Sequence, residues 1–197
     1  MAGTARPGRP RRYDFSPANG FAHRDVALAV AALDELLARL EDLISDLSDE
    51  ALHFAPLDES NTIAMLTLHM AAGEAGWLSR VTANETPAAI KELLVGGSQD
   101  RTGNLPPAKP DRDRLARACR EVRALTKESL AAVSDPDRTI EAEGRTISVR
   151  GVLMHQIWHW TYHTGQVGLL RRLCGNRYMW TFGQRVAGPG ETTDEHR

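Results

Sequence analysis

The stretch Val152-Leu-Met-His155-Gln-Ile-Trp-His159-Trp-Thr-Tyr-His163-Thr-Gly-Gln166-Val-Gly-Leu-Leu-Arg-Arg-Leu173 decides how this chain is read. It sets three histidines at successive spacings of four. On a helix, residues four apart stand one above the other on one face. His159 and His163 can therefore offer two imidazole nitrogens to a single point in space. Val152, Ile157, Val167, Leu170 and Leu173 make the segment apolar enough to be buried along much of its length. Burying polar rings without partners is unfavourable, so histidines on such a face are read as metal ligands. The plainer alternative is that all of them are structural, each satisfied by a hydrogen bond.

Working outward, Ser148 can cap this last helix and Gly175 can end it. Just before it, residues 139–148 alternate around Glu143-Gly144, which predicts a small hairpin. A third long helix is expected over about 111–133, with Leu115, Val122, Leu125, Leu130 and Val133 facing inward and Asp135-Pro136 stopping it. Residues 84–109, rich in Pro and Gly, form a long connection with a short helix near 88–94; loops this long often line a site. A second helix is expected over 62–83, capped by Ser60, Asn61 or Thr62. Ile63, Leu66, Met70, Trp77 and Val81 mark its core stripe, His69 lies beside them, and Glu74 is expected at the surface or in support of a ligand. The first helix, about 24–45, repeats Val26, Val30, Leu33, Leu37, Leu40 and Ile44 at threes and fours. A short helical turn follows at 48–50 and closes at Pro56.

The chain divides into a flexible basic arm over 1–20, a helical metal-binding domain over 21–184 and a mobile tail over 185–197. With 197 residues, 42% of them hydrophobic, it can bury one sizeable core. A formal charge of -2 predicts no general attraction to nucleic acid or to an anionic membrane. No apolar run approaches the roughly 18 residues that cross a bilayer, and no apolar signal core follows the N-terminal arginines. Two cysteines, Cys119 and Cys174, sit in no paired motif, so a cytoplasmic location is expected.

Neutral imidazole suits zinc first, with nickel or iron as alternatives. A histidine pair plus a third ring from a facing helix leaves one side of the ion open, as catalytic sites do. Two related patterns fail. The segment His159 to His163 has zincin spacing but no glutamate after the first histidine, so a metalloprotease base is missing. Glu50 and His53 form a single Glu-x-x-His pair where a di-iron bundle needs two. Four amphipathic helices make an all-α four-helix bundle the economical fold.

At this point the residues carry a resemblance. The segment from Asn61 through His69 to Trp77, paired with His155-Gln-Ile-Trp-His159-Trp-Thr-Tyr-His163-Thr-Gly-Gln166, resembles the DinB/YfiT-like superfamily. The resemblance spans about residues 24–175. It implies an up-down-down-up four-helix bundle whose divalent metal is held by His69, His159 and His163. His155, Tyr162 and Gln166 are implied as supporting partners of the ligand rings. It further implies a thiol S-transferase of the bacillithiol or mycothiol type, acting on a small electrophile and assembled as a homodimer. A metal-dependent hydrolase and a non-enzymatic metal-binding, stress-response protein are the competing functions. No catalytic residue of the chain itself is singled out, and substrate and thiol are left open.

Overall fold

The computed structural model describes residues 6–10, 15–57, 60–100, 103–142 and 144–179. A two-residue strand, β1 (Arg6–Pro7), precedes α1 (Arg24–Ile44), the single turn α2 (Asp49–Leu52) and α3 (Ile63–Thr82). The short α4 (Ala88–Leu93) and the long α5 (Arg112–Leu130) follow. A hairpin of β2 (Thr139–Ala142) and β3 (Arg145–Ser148) leads into α6 (Val149–Leu173), and β4 (Tyr178–Met179) closes the described chain.

Helix starts are written locally. The side chains of Ser48, Thr62, Asp111 and Ser148 accept from the amides of Ala51, Met65, Arg114 and Gly151, capping α2, α3, α5 and α6. Each such cap contributes about 1 kcal/mol. His23 caps α1 by accepting from the Asp25 amide, which its residue type does not advertise. The hairpin pairs Thr139 with Ser148 and Ala142 with Arg145, and Gly144 takes a positive φ of 72° at the turn.

The four long helices pack by their apolar faces: α3 against α5 and α6, and α1 against α6 and α5. All six apolar residues predicted along α1 are buried. The larger core gathers Leu33, Leu40, Leu66, Met70, Leu115 and Trp160. A second cluster, with Val26, Val30, Leu78, Leu130 and Val152, fills the region beside the hairpin. Because α3 has partners on two sides, its first nine residues are all buried.

Glu74, Trp77 and Leu173 depart from expectation. Glu74 is not at the surface; only 2% exposed, it receives both arms of the Arg123 guanidinium at 2.9 and 2.8 Å and the Thr126 hydroxyl at 2.7 Å. Trp77 is only half-buried, and Leu173 is exposed although Leu170 and Arg171, a turn or less before it, are buried. Of residues 1–20, only 6–10 and 15–20 are described; there Arg6 reaches Asp42, β1 pairs with β4, and the Arg9 guanidinium pairs with Glu35 at 3.0 Å. The tail over 185–197 lies outside the described residues. Cys119 and Cys174 are both free. No described helix is long and apolar enough to cross a membrane.

Candidate metal centre

Where α3 crosses α6, His69, His159 and His163 each offer a ligand atom, and these atoms lie within 4.8 Å of one another. Their ring centroids are 4.9, 5.0 and 4.6 Å apart. This is the one cluster of potential metal ligands found among the described residues, and it contains no carboxylate. His69 and His163 are buried and His159 is half-buried.

Hydrogen bonds fix how two of the rings present themselves. The Gly97 carbonyl can only accept, so His69 Nδ1 donates to it at 3.0 Å and its Nε2 carries the lone pair. His163 Nδ1 donates to Gln166 Oε1 at 2.6 Å, which likewise leaves its Nε2 as a lone-pair donor. Gln166 Nε2 in turn donates to the Tyr162 hydroxyl at 3.3 Å. Metal-bound histidines are commonly oriented by such an acceptor on the other nitrogen. His159 differs: its Nε2 lies 3.1 Å from His69 Nε2, while its Nδ1 is buried without a partner in the protein.

Electrostatics keep the cluster uncharged. Burial, reinforced by repulsion from His163, His69 and His155, pushes His159 down to about 3. Burial also lowers His69 and His163, each against the opposing pull of its hydrogen bond. At neutral pH all three rings are therefore neutral, the form that binds a metal. The residues thus fit a divalent cation. Two fixed Nε2 lone pairs and a third imidazole converge, and a cation among them turns mutual repulsion into attraction. A triad of this kind could hold a metal ion.

Small residues make room for the rings. A Cβ on Gly73 would come within 3.0 Å of His159 Cε1. On Gly97 it would meet the Leu68 carbonyl oxygen at 2.7 Å and Ala72 Cβ at 2.8 Å. Gly97 thus lies directly on α3, so that its own carbonyl reaches His69. The 84–109 connection, expected to line the site, reaches it through the Gly97 carbonyl, a group that no sequence pattern marks. His155, though in step with the other two, stands apart. It is exposed, its ring set edge-on to Trp77 at 5.4 Å and tilted against His159 at 5.9 Å. Tyr162 is exposed beside the cluster, its ring 5.0 Å from that of His163.

Comparison with known proteins adds three findings. The family profile described as Mycothiol-S-transferase matches residues 28–175. No curated protein matches the chain. Among solved structures, a conserved protein from Enterococcus faecalis shares the fold with a TM-score of 0.60 at 18% identity, covering 74% of this chain and 94% of its own.

Proposed function

The chain belongs to the mycothiol-S-transferase family, and from that premise we propose that it is a metal-dependent thiol S-transferase acting on a small electrophile. The observation that carries the reading is the convergence of three neutral imidazoles with no carboxylate among them. His69, His159 and His163 would hold a divalent ion, zinc before nickel or iron by the chemistry of an all-nitrogen donor set. Such an ion supplies thiol activation: a free thiol has a pKa around 8.5, whereas a coordinated one is deprotonated. In the net reaction an S–C bond forms as the S–H bond and the bond from that carbon to its leaving group break, the leaving group departing with its electron pair and the proton being released to solvent.

The chain's own part is to hold and orient. Gly97 fixes the tautomer of His69, Gln166 fixes that of His163, and Tyr162 steadies Gln166 through its hydroxyl. Hydrolysis by a metal-bound water is the competing reading; among the described residues no carboxylate joins the cluster to serve it as a general base. We further take the helical domain over 21–184 as the working unit, with its four long helices ordered up-down-down-up. The cytoplasm, where low-molecular-weight thiols are kept reduced, is the compartment that suits this chemistry. A homodimer is part of the proposal, supported by Met154, Trp158, Tyr162, Leu169 and Leu173, large apolar residues exposed on the outer side of α6.

Metal analysis followed by a panel of thiols tests the reading. Wild-type protein should carry one divalent ion per chain, and His69→Ala, His159→Ala and His163→Ala should each lose it. Monochlorobimane should be consumed only when ion and the right thiol are both present. An unchanged metal content in His69→Ala defeats the three-ligand assignment. Failure of bacillithiol, mycothiol, glutathione and coenzyme A alike defeats the transferase.

A further inference from the structure

The outer side of α6 leaves a long apolar stripe exposed. Met154, Trp158, Tyr162, Leu169 and Leu173 are each more than half exposed, Trp158 at 72%. At about 100° per residue all five fall within one sector roughly 100° wide, and Gly165, also exposed, lies among them. That sector adjoins the side carrying His159 and His163. Arg172, the one permanent charge in it, sits at its edge, where interfaces place their polar rim. By their exposed fractions the five side chains offer roughly 600 Å2, the upper end of what a monomer leaves in one apolar patch.

The order of the stripe is self-complementary. In two antiparallel helices related by a two-fold axis, residues equidistant from one midpoint face each other across it. About a midpoint between His163 and Thr164, Met154 matches Leu173, Trp158 matches Leu169 and Tyr162 matches Gly165. Every layer is apolar. The phenol nearest the axis meets a glycine whose surroundings are open, with nothing within 4 Å of where its Cβ would stand. Two copies would bury about 1,200 Å2 between them, the lower end of specific interfaces.

We propose that two copies pair antiparallel through this stripe and that the partner thereby steadies the metal centre. The pairing rests on the homodimer and metal readings above, and adds to them a face, a register and a link between the two. Tyr162 is that link. Its ring lies in the stripe, and its hydroxyl accepts from Gln166 Nε2 at 3.3 Å, while Gln166 Oε1 accepts from His163 Nδ1 at 2.6 Å. In a single copy Tyr162 is 58% exposed, and water competes for its hydroxyl. With the second copy packed over the ring, water is excluded and the chain of hydrogen bonds to His163 strengthens. Coupling of this kind is reciprocal: whatever factor the dimer adds to metal affinity, the metal adds to dimer affinity.

Sedimentation equilibrium with and without zinc, together with chelator competition at several protein concentrations, tests the proposal. Zinc should tighten the wild-type dimer about three- to tenfold, and zinc affinity should rise by the same factor as protein concentration passes through the dimerisation range. Trp158→Glu and Leu169→Lys should each weaken the dimer at least about tenfold. Zinc affinity should then stay at the value of dilute wild-type protein. Combining the two should tighten the dimer at least about threefold over either alone, since opposite charges then face each other across the axis. A dimer that ignores both substitutions uses another face, which overturns the pairing and leaves the homodimer standing. No gain in the double variant overturns the register. Zinc affinity that stays constant while the dimer dissociates overturns the link through Tyr162. Wild-type protein that remains monomeric, or that takes up no zinc, defeats the homodimer or the metal reading itself and the proposal with it.

Discussion

Gly97→Ala probes the support of the metal centre without touching a ligand. The new Cβ would stand 2.7 Å from the Leu68 carbonyl oxygen and 2.8 Å from Ala72 Cβ. Neither atom can swing aside, since one is helix backbone and the other is fixed to it. Ordinary contact begins at 3.4 Å, so the loop must retreat by about 0.7 Å from α3. The Gly97 carbonyl travels with it, stretching its 3.0 Å bond from His69 Nδ1 beyond hydrogen-bond reach. His69 then loses the acceptor that fixes its tautomer, and its Nε2 no longer presents a committed lone pair. Losing such an acceptor typically weakens metal binding about 10–100-fold. Competition against a chelator of known affinity reads this directly, with circular dichroism confirming that the helices persist. Wild-type affinity in a folded Gly97→Ala protein refutes the role assigned to the carbonyl.

Gly165→Ala is the matching control on α6: its Cβ meets nothing within 4 Å, so stability should rise by about 1 kcal/mol with metal content unchanged, as denaturant titration will read. A loss of stability there would show that the outer side of α6 is tightly covered. Arg123→Met strands the buried Glu74 carboxylate and should cost about 3–5 kcal/mol in urea unfolding. Glu74→Leu combined with it should recover most of that loss, and a single variant within 1 kcal/mol of wild type, on the order of a surface change, rejects the account. For the metal-free chain, His69, His159 and His163 all titrate below their ordinary 6.5 when folded. The unfolded chain therefore takes up protons first. The stability they contribute is fully present above about 6.5 and falls as pH drops toward 3. Urea midpoints measured from pH 7.5 to 4.5 should decline, and less steeply in His159→Phe; a flat wild-type profile contradicts the neutral cluster.

Local sequence determined the helices, their caps and the hairpin, because each rests on contacts within a few residues. Ser148 at a cap, the threes-and-fours of α1 and the turn at Gly144 need no knowledge of distant partners. The pair His159 and His163 was legible for the same reason, and the family resemblance added His69 from another helix. Tertiary structure decided what depends on which side a helix turns inward. Each four-residue step along a helix advances about 40°, so His155 and His163 point roughly 80° apart. With α3 packed on the side of His159 and His163, His155 is left facing solvent beside Trp77. The same holds for Glu74, whose surroundings are set by Arg123 forty-nine positions away. It holds too for the Gly97 carbonyl, because a backbone oxygen has no residue type by which a sequence could announce it.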